Sequence, residues 1–221
     1  MKIIELNRSV TESNDKDADA LREKMRAVGV LMFNLMSSPG SGKTTLLSRV
    51  ITDMKSELKI GVMEADIASD VDAAKIEKLG ARVIQAHTGG MCHMDAGMTE
   101  RAINAMGNEN LNIVFLENVG NLICPAEFDT GAERNIMILS VPEGDDKPLK
   151  YPLMFQKSDA LVITKIDTKD YFNFDFFACE KRVRSLNPNI EIFHVSAKTG
   201  DGMSEFENWI RQEYKKYRLR F

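Results

Sequence analysis

The nine residues Ser37-Ser38-Pro39-Gly40-Ser41-Gly42-Lys43-Thr44-Thr45 constrain this chain more than any other segment. They follow an apolar, strand-like run (30–36) and open a stretch with helical apolar spacing (46–54). A strand, a loop of small residues and a helix in direct succession aim several backbone N–H groups and a helix N-terminus at one point, which is how a backbone cradles a phosphate. Pro39, Gly40, Ser41 and Gly42 would form the cradle, and Lys43 would reach the β- and γ-phosphates. Thr44, with Thr45 beside it, would offer its hydroxyl to Mg2+. Ser37 stands where such loops usually begin with glycine, so the strand must enter the loop without a positive φ.

Six further apolar runs recur at 60–64, 82–85, 112–117, 135–141, 160–164 and 190–195, most of them separated by helix-like stretches. That alternation predicts an α/β fold: a mostly parallel, doubly wound sheet with helices on both faces and ligands at the carboxyl ends of the strands. Together with the phosphate loop it predicts a P-loop NTPase. A chain of 221 residues with 43% apolar content can fill one such core. Residues 1–28 are expected to form a polar arm (1–15) and an amphipathic helix, with Ala18, Leu21, Met25 and Val28 at helical spacing, packed on a domain spanning 29–221. A role for that apolar face in dimer packing is the alternative.

Net charge of −4 with both signs interspersed gives no reason to expect nucleic acid or an anionic membrane as a partner. The longest apolar stretch is interrupted by Asn34 and too short to span a bilayer, and no apolar leader precedes it. Three cysteines, Cys92, Cys124 and Cys179, are an odd and sparse set that suits a reducing compartment, so a cytoplasmic protein with thiols available as ligands is expected.

Thr164-Lys165-Ile166-Asp167 closes one of the apolar runs and is similar to the Asn-Lys-x-Asp element of GTPases, with threonine first. A carboxylate at Asp167 can accept both the N1–H and the 2-amino hydrogens of guanine, a match adenine cannot make. Lys165 would lie along the purine face, and Ser196-Ala197-Lys198 after the last run would meet the guanine O6 with a backbone N–H. The nucleotide expected is therefore GTP.

Glu117-Asn118-Val119-Gly120 looks like the Asp-x-x-Gly switch element with a longer acid: Glu117 would hold Mg2+ and Gly120 would donate its N–H to a γ-phosphate. Carboxylates following the 60–64 run are candidates to bind Mg2+ or orient the attacking water, Asp66 first and then Asp72, with Lys43 completing the catalytic set. Asp70 and Asp72 fit equally well as helix caps. No glutamine stands beside the switch to position water, so slow intrinsic turnover is expected.

Two loops supply soft ligands: Gly89-Gly90-Met91-Cys92-His93 and Leu122-Ile123-Cys124-Pro125. Two thiolates and an imidazole suit Ni2+ or Zn2+, and a four-coordinate site would need one more donor from water or a second subunit. Cys124 lies four residues beyond Gly120, so nucleotide state could move a ligand directly. Cys179, His87 and His194 read first as structural, with His87 near enough to the Cys-His loop to support the metal from outside.

Taken together, residues 37–45, the Cys92-His93 pair and the segment 117–125 resemble the HypB family of hydrogenase nickel incorporation GTPases, over nearly the whole chain from Val30 onward. The resemblance implies GTP hydrolysis coupled to nickel insertion during [NiFe] hydrogenase maturation. It also implies GTP-promoted homodimerisation, a metal site at the dimer interface, and two partners: the hydrogenase large-subunit precursor and a companion nickel chaperone. Many members carry a Cys-x-x-Cys-Gly-Cys motif or a histidine-rich tract for tight nickel binding. This sequence has neither before the phosphate loop, so only the Cys92, His93, Cys124 set carries over. A urease-type nickel chaperone is the nearest alternative, disfavoured by the absence of a Cys-Pro-His arrangement. A P-loop small-molecule kinase would need an arginine-bearing lid.

Overall fold

The computed structural model describes residues 7–65 and 70–220. In chain order the elements are α1 (Asn7–Val28), β1 (Leu31–Ser37), α2 (Lys43–Met54), β2 (Ile60–Glu64), α3 (Asp70–Lys78), β3 (Arg82–Gln85), α4 (Ala96–Met106), β4 (Ile113–Glu117), α5 (Cys124–Glu127), β5 (Arg134–Ser140), α6 (Lys147–Lys150), α7 (Pro152–Gln156), β6 (Ala160–Thr164), α8 (Phe176–Leu186), β7 (Glu191–His194) and α9 (Met203–Arg218). Short 3-10 turns occupy Val141–Glu143 and Ile166–Tyr171.

The seven strands form one sheet in the order β3-β2-β4-β1-β5-β6-β7, every neighbour parallel, as the alternating pattern predicts. β1 sits between β4 and β5, the point where the connections part to opposite sides of the sheet, so the loops leaving β1, β4 and β5 meet at its carboxyl edge. β1, β2, β4 and β6 are buried along their whole length because helices cover both faces; the edge strands β3 and β7 are partly exposed.

Alternation along β1 divides the core. Leu31, Phe33 and Leu35 pack with Leu46, Val50 and Ile51 of α2 and Phe206, Trp209 and Ile210 of α9. Met32 joins a cluster with Leu21 and Met25 of α1 and Ile103 of α4, while Met36 joins Met154, Phe155 and Val183 beneath α7 and α8. The Phe33 ring stacks on Phe115 at 5.3 Å between centroids and meets Trp209 at 5.8 Å. Asn34, the polar interruption of this strand, is buried on the opposite face from Phe33, and its amide donates to Asn135 and accepts from Asn118.

Two expectations for the N-terminal segment change. The helix begins at Asn7, so polar residues 7–15 are helical and not an arm; no Gly or Pro interrupts them, and Asn14 docks on the domain through its side chain. Ala18, Leu21 and Met25 are buried as the spacing predicts, but Val28 is 51% exposed. Gly29, with φ of +70°, ends the helix and turns the chain inward, so Val30 takes the buried place. Arg22 fastens the helix to the domain through both carboxylate oxygens of Asp129 and the carbonyl of Ala132.

On the other face, α2 and α9 share a cluster of charges: Arg49 with Asp53, Arg211 with Glu57, and Glu207 among them, 6% exposed. Burial, reinforced by Asp53, raises the Glu207 carboxyl to about 7. The folded state therefore holds a proton that the unfolded chain has lost above its ordinary range near 4.5, and stability falls as pH rises from about 4.5 to 7. Glu207→Gln is expected to be more stable than the unaltered protein at pH 8 by about 1 kcal/mol, a difference that vanishes near pH 5. Urea midpoints at the two pH values measure it; equal differences at both would refute the assignment.

Candidate functional site

Ser37 is the last residue of β1 and its φ is not positive, so the strand enters the loop without the missing glycine. Its buried hydroxyl accepts from Lys43 Nζ at 2.7 Å and from Ser41 Oγ at 2.6 Å, a cross-loop tie that glycine could not supply. Gly40 and Gly42 take φ of +74° and +97°, and Gly42 caps α2, which starts at Lys43. Ser38 Oγ donates to Glu143, whose other oxygen caps the Val141–Glu143 turn through Ser140. Sequence reasoning missed Glu143, although Ser140-Val-Pro-Glu143 carries the Ser-x-x-Glu spacing of a capping box.

The base-side residues converge. Thr164, Lys165, Asp167, Ser196, Ala197 and Lys198 line one cavity of about 310 Å3 together with Gly42 and Thr45. Lys165, held at φ of +60°, crosses the loop and donates Nζ to the Gly40 carbonyl at 2.7 Å, while Thr164 Oγ1 donates to the Ser41 carbonyl at 2.7 Å. Threonine in place of asparagine thus keeps the tie between the two halves of the site. Ser196 Oγ donates to Asp167 Oδ1 at 2.7 Å, fixing the carboxylate with its remaining lone pairs toward the cavity.

At the switch, Thr44 Oγ1 lies 3.2 Å from Glu117 Oε1 beside Lys43, a pair of hard oxygen donors of the kind Mg2+ takes. Glu64 at the end of β2 is in register with Glu117, and both are buried. Asp66 lies outside the described residues, and of Asp72 only the backbone is described, within α3. Gly120 approaches the phosphate loop so closely that a Cβ there would sit 3.0–3.2 Å from the ring and backbone of Pro39.

The two soft-ligand loops also come together. One donor atom each from Cys92, His93 and Cys124 falls within 4.8 Å of the others. Cys92 Sγ is 2.6 Å from Cys124 Sγ and 3.7 Å from His93 Nδ1. Gly89 and Gly90, both at positive φ, fold the first loop into a turn closed by Thr88 Oγ1 on the Met91 carbonyl. Asn121 Oδ1 accepts the N–H groups of Ile123 and Cys124 in the second. The imidazole of His93 is buried, stacked on Phe128 at 3.9 Å, and burial lowers its pKa, which favours the neutral ring a metal requires. The Cys124 thiol is shifted up, chiefly by its hydrogen bond with Cys92 and then by burial. Cys179 is fully buried and pushed up to about 12 by desolvation, and His194 contacts Glu180 at 3.0 Å, so both are structural; His87 is exposed.

Fold and site together define a P-loop nucleotide-binding protein of the doubly wound α/β class. A family model described as CobW/HypB/UreG, nucleotide-binding domain, matches residues 31–194. The chain is 43% identical over 209 residues to the hydrogenase maturation factor HypB of Rhizobium leguminosarum bv. viciae, covering 95% of this chain and 70% of that protein. It is 41% identical over 212 residues to HypB of Escherichia coli (strain K12), covering 96% and 73%. A crystal structure of HypB from Helicobacter pylori in complex with nickel is 38% identical, with a TM-score of 0.87 over 92% of this chain and 96% of that one. The chain belongs to the HypB hydrogenase maturation factors of the CobW/HypB/UreG family. Among the described residues, no helix is long and apolar enough to cross a membrane.

Proposed function

We propose that this chain binds GTP with Mg2+, hydrolyses it, and uses the change of nucleotide to govern a soft metal ion, nickel by kinship or Zn2+ by ligand chemistry, carried on Cys92, His93 and Cys124. The observation that carries the reading is the meeting of these three donors within 4.8 Å, Cys92 and His93 on the loop after the edge strand β3 and Cys124 after β4, the strand beside the one that enters the phosphate loop. Asp167, Ser196 and Ala197 select guanine. Pro39, Gly40, Ser41, Gly42 and Thr45 surround the phosphates, and Lys43 neutralises the charge that develops on them. Thr44 and Glu117 hold Mg2+, joined by Asp66 or Asp72, which also orients the attacking water. Held there, Mg2+ would supply neutralisation of the phosphate charge.

The metal is cargo, and its acceptor is the hydrogenase large-subunit precursor, reached with the help of a companion nickel chaperone. Leu149 on α6, Tyr171 and Phe172 at the end of the turn after β6, and Phe177 on α8 stand exposed, apolar side chains available to a partner; that the partner is a second copy and that GTP promotes the pairing rest on kinship with the family. A cytoplasmic location fits free thiols.

Removal of one ligand tests the reading. With Ni2+ titrated in the presence of GDP or a slow-hydrolysing GTP analogue, Cys124→Ala is expected to weaken nickel binding by about tenfold or more and to erase the difference between the two nucleotide states. Unchanged affinities in both states would overturn it. Mass followed in the same titration reports the dimer.

A further inference from the structure

The side chain of Asn118 lies between the switch and the Cys92-His93 loop and is bonded to both. It is fully buried immediately after Glu117, and its Oδ1 accepts the N–H of Val119 at 2.9 Å and the N–H of Met94 at 3.1 Å. Its Nδ2 donates to Asn34 Oδ1 at 3.0 Å, and Asn34 Nδ2 donates onward to Asn135 Oδ1 at 2.9 Å. Two backbone N–H groups can face only an oxygen, so the amide orientation is determined and its partners cannot be exchanged by a flip. The Asn118 N–H is held in addition by the Leu35 carbonyl of β1.

This arrangement has a consequence for coupling. Met94 follows His93 directly, and Asp95 caps α4 through the Met98 N–H, so Met94 is where the ligand loop is fastened before the helix begins. Val119 precedes Gly120, which rests against Pro39 of the phosphate loop. One amide oxygen therefore clamps the residue after one metal ligand and the residue before the γ-phosphate sensor. Cys124 is already joined to Gly120 by three intervening residues of chain; Cys92 and His93 have no such covalent path. An unshared polar group in this core would be costly, so the amide keeps its partners and the two backbones shift together or not at all.

We propose that Asn118 is a positioning residue that makes the Cys92-His93 loop follow the switch, so that nucleotide state acts on all three metal ligands and not on Cys124 alone. The proposal rests on the reading of those residues as a nucleotide-governed metal site. A merely structural asparagine, once removed, weakens metal binding equally in both nucleotide states; a coupling asparagine removes the difference between them.

The test titrates Ni2+ against the full chain with GDP or a slow-hydrolysing GTP analogue, following thiolate-to-nickel absorption. For the unaltered protein the two affinities are expected to differ about tenfold, and for Asn118→Ala to converge within about twofold, with GDP affinity kept within about threefold. A difference that persists in Asn118→Ala overturns the relay while leaving the switch reading standing. No difference in the unaltered protein overturns the switch reading itself. Should the variant fail to fold, amide hydrogen exchange on the unaltered protein decides. Met94 and Val119 protection is expected to change together between the two nucleotide states, and a Met94 amide indifferent to nucleotide while Val119 responds overturns the relay.

Discussion

Asp167→Asn is expected to weaken GDP and GTP binding by about a thousandfold and to transfer the preference to xanthine nucleotides. The reason is the hydroxyl of Ser196, which donates to Asp167 Oδ1. In the variant that hydroxyl still requires an acceptor, so it holds the amide oxygen and turns the amide nitrogen toward the 2-amino group of guanine. A donor then faces a donor in a cavity of about 310 Å3, and both groups lose water without gaining a partner, a cost of several kcal/mol. Xanthine carries an oxygen at that position and restores the bond. Nucleotide titration of GDP against xanthosine 5′-diphosphate measures both effects, and GDP affinity within about threefold of the unaltered protein would sink the guanine assignment. Ser196→Ala should soften the switch of preference, because the amide regains its freedom to rotate.

The features that were legible in the sequence were those whose chemistry requires neighbours in sequence. The phosphate loop needs strand, small residues, lysine and helix in succession, and all seven strands begin and end within one residue of the apolar runs. Asp167 and Ser196 were legible separately as strand-end residues, but their hydrogen bond closes a gap of 29 residues and needed the fold. Asn118 was visible only as the spacer between Glu117 and Gly120; its partners are 24 and 84 residues away in sequence, at separations periodicity does not report. Asn14 read as part of a polar arm, yet it is buried and joins the Asp129 carbonyl after one ligand loop to the Ala96 N–H after the other. The sequence indicators misled at Val28 for a local reason: it is the last residue of the helix, and the glycine turn that follows brings Val30 to the buried place instead.

Substitution at Gly120 should separate hydrolysis from nucleotide binding. A Cβ built there meets Pro39 Cγ at 3.0 Å, Pro39 N at 3.1 Å and Pro39 Cα at 3.2 Å, tighter than nine in ten real Cβ contacts, so relief takes a shift of a few tenths of an ångström. One side must move, and the phosphate loop is the more firmly held. Ser37 ties Lys43 and Ser41, Glu143 takes Ser38, Lys165 takes the Gly40 carbonyl and Thr164 the Ser41 carbonyl. The switch is therefore the part displaced, and the Gly120 N–H withdraws from the γ-phosphate it is proposed to meet. GDP has no γ-phosphate; its base rests on groups the substitution does not touch, and of the residues placed around its phosphates the added Cβ meets Pro39 alone. Gly120→Ala is accordingly expected to bind GDP within about threefold of the unaltered protein while losing about a hundredfold in single-turnover hydrolysis, the scale on which removal of one preorganised donor acts. Turnover within about threefold of the unaltered protein would mean that Gly120 is small only to clear Pro39 and carries no phosphate contact. Because the displaced segment continues through Asn121 to Cys124, the same variant should bind nickel alike with GDP and with the GTP analogue, which ties the loss of hydrolysis to the loss of metal control in one molecule.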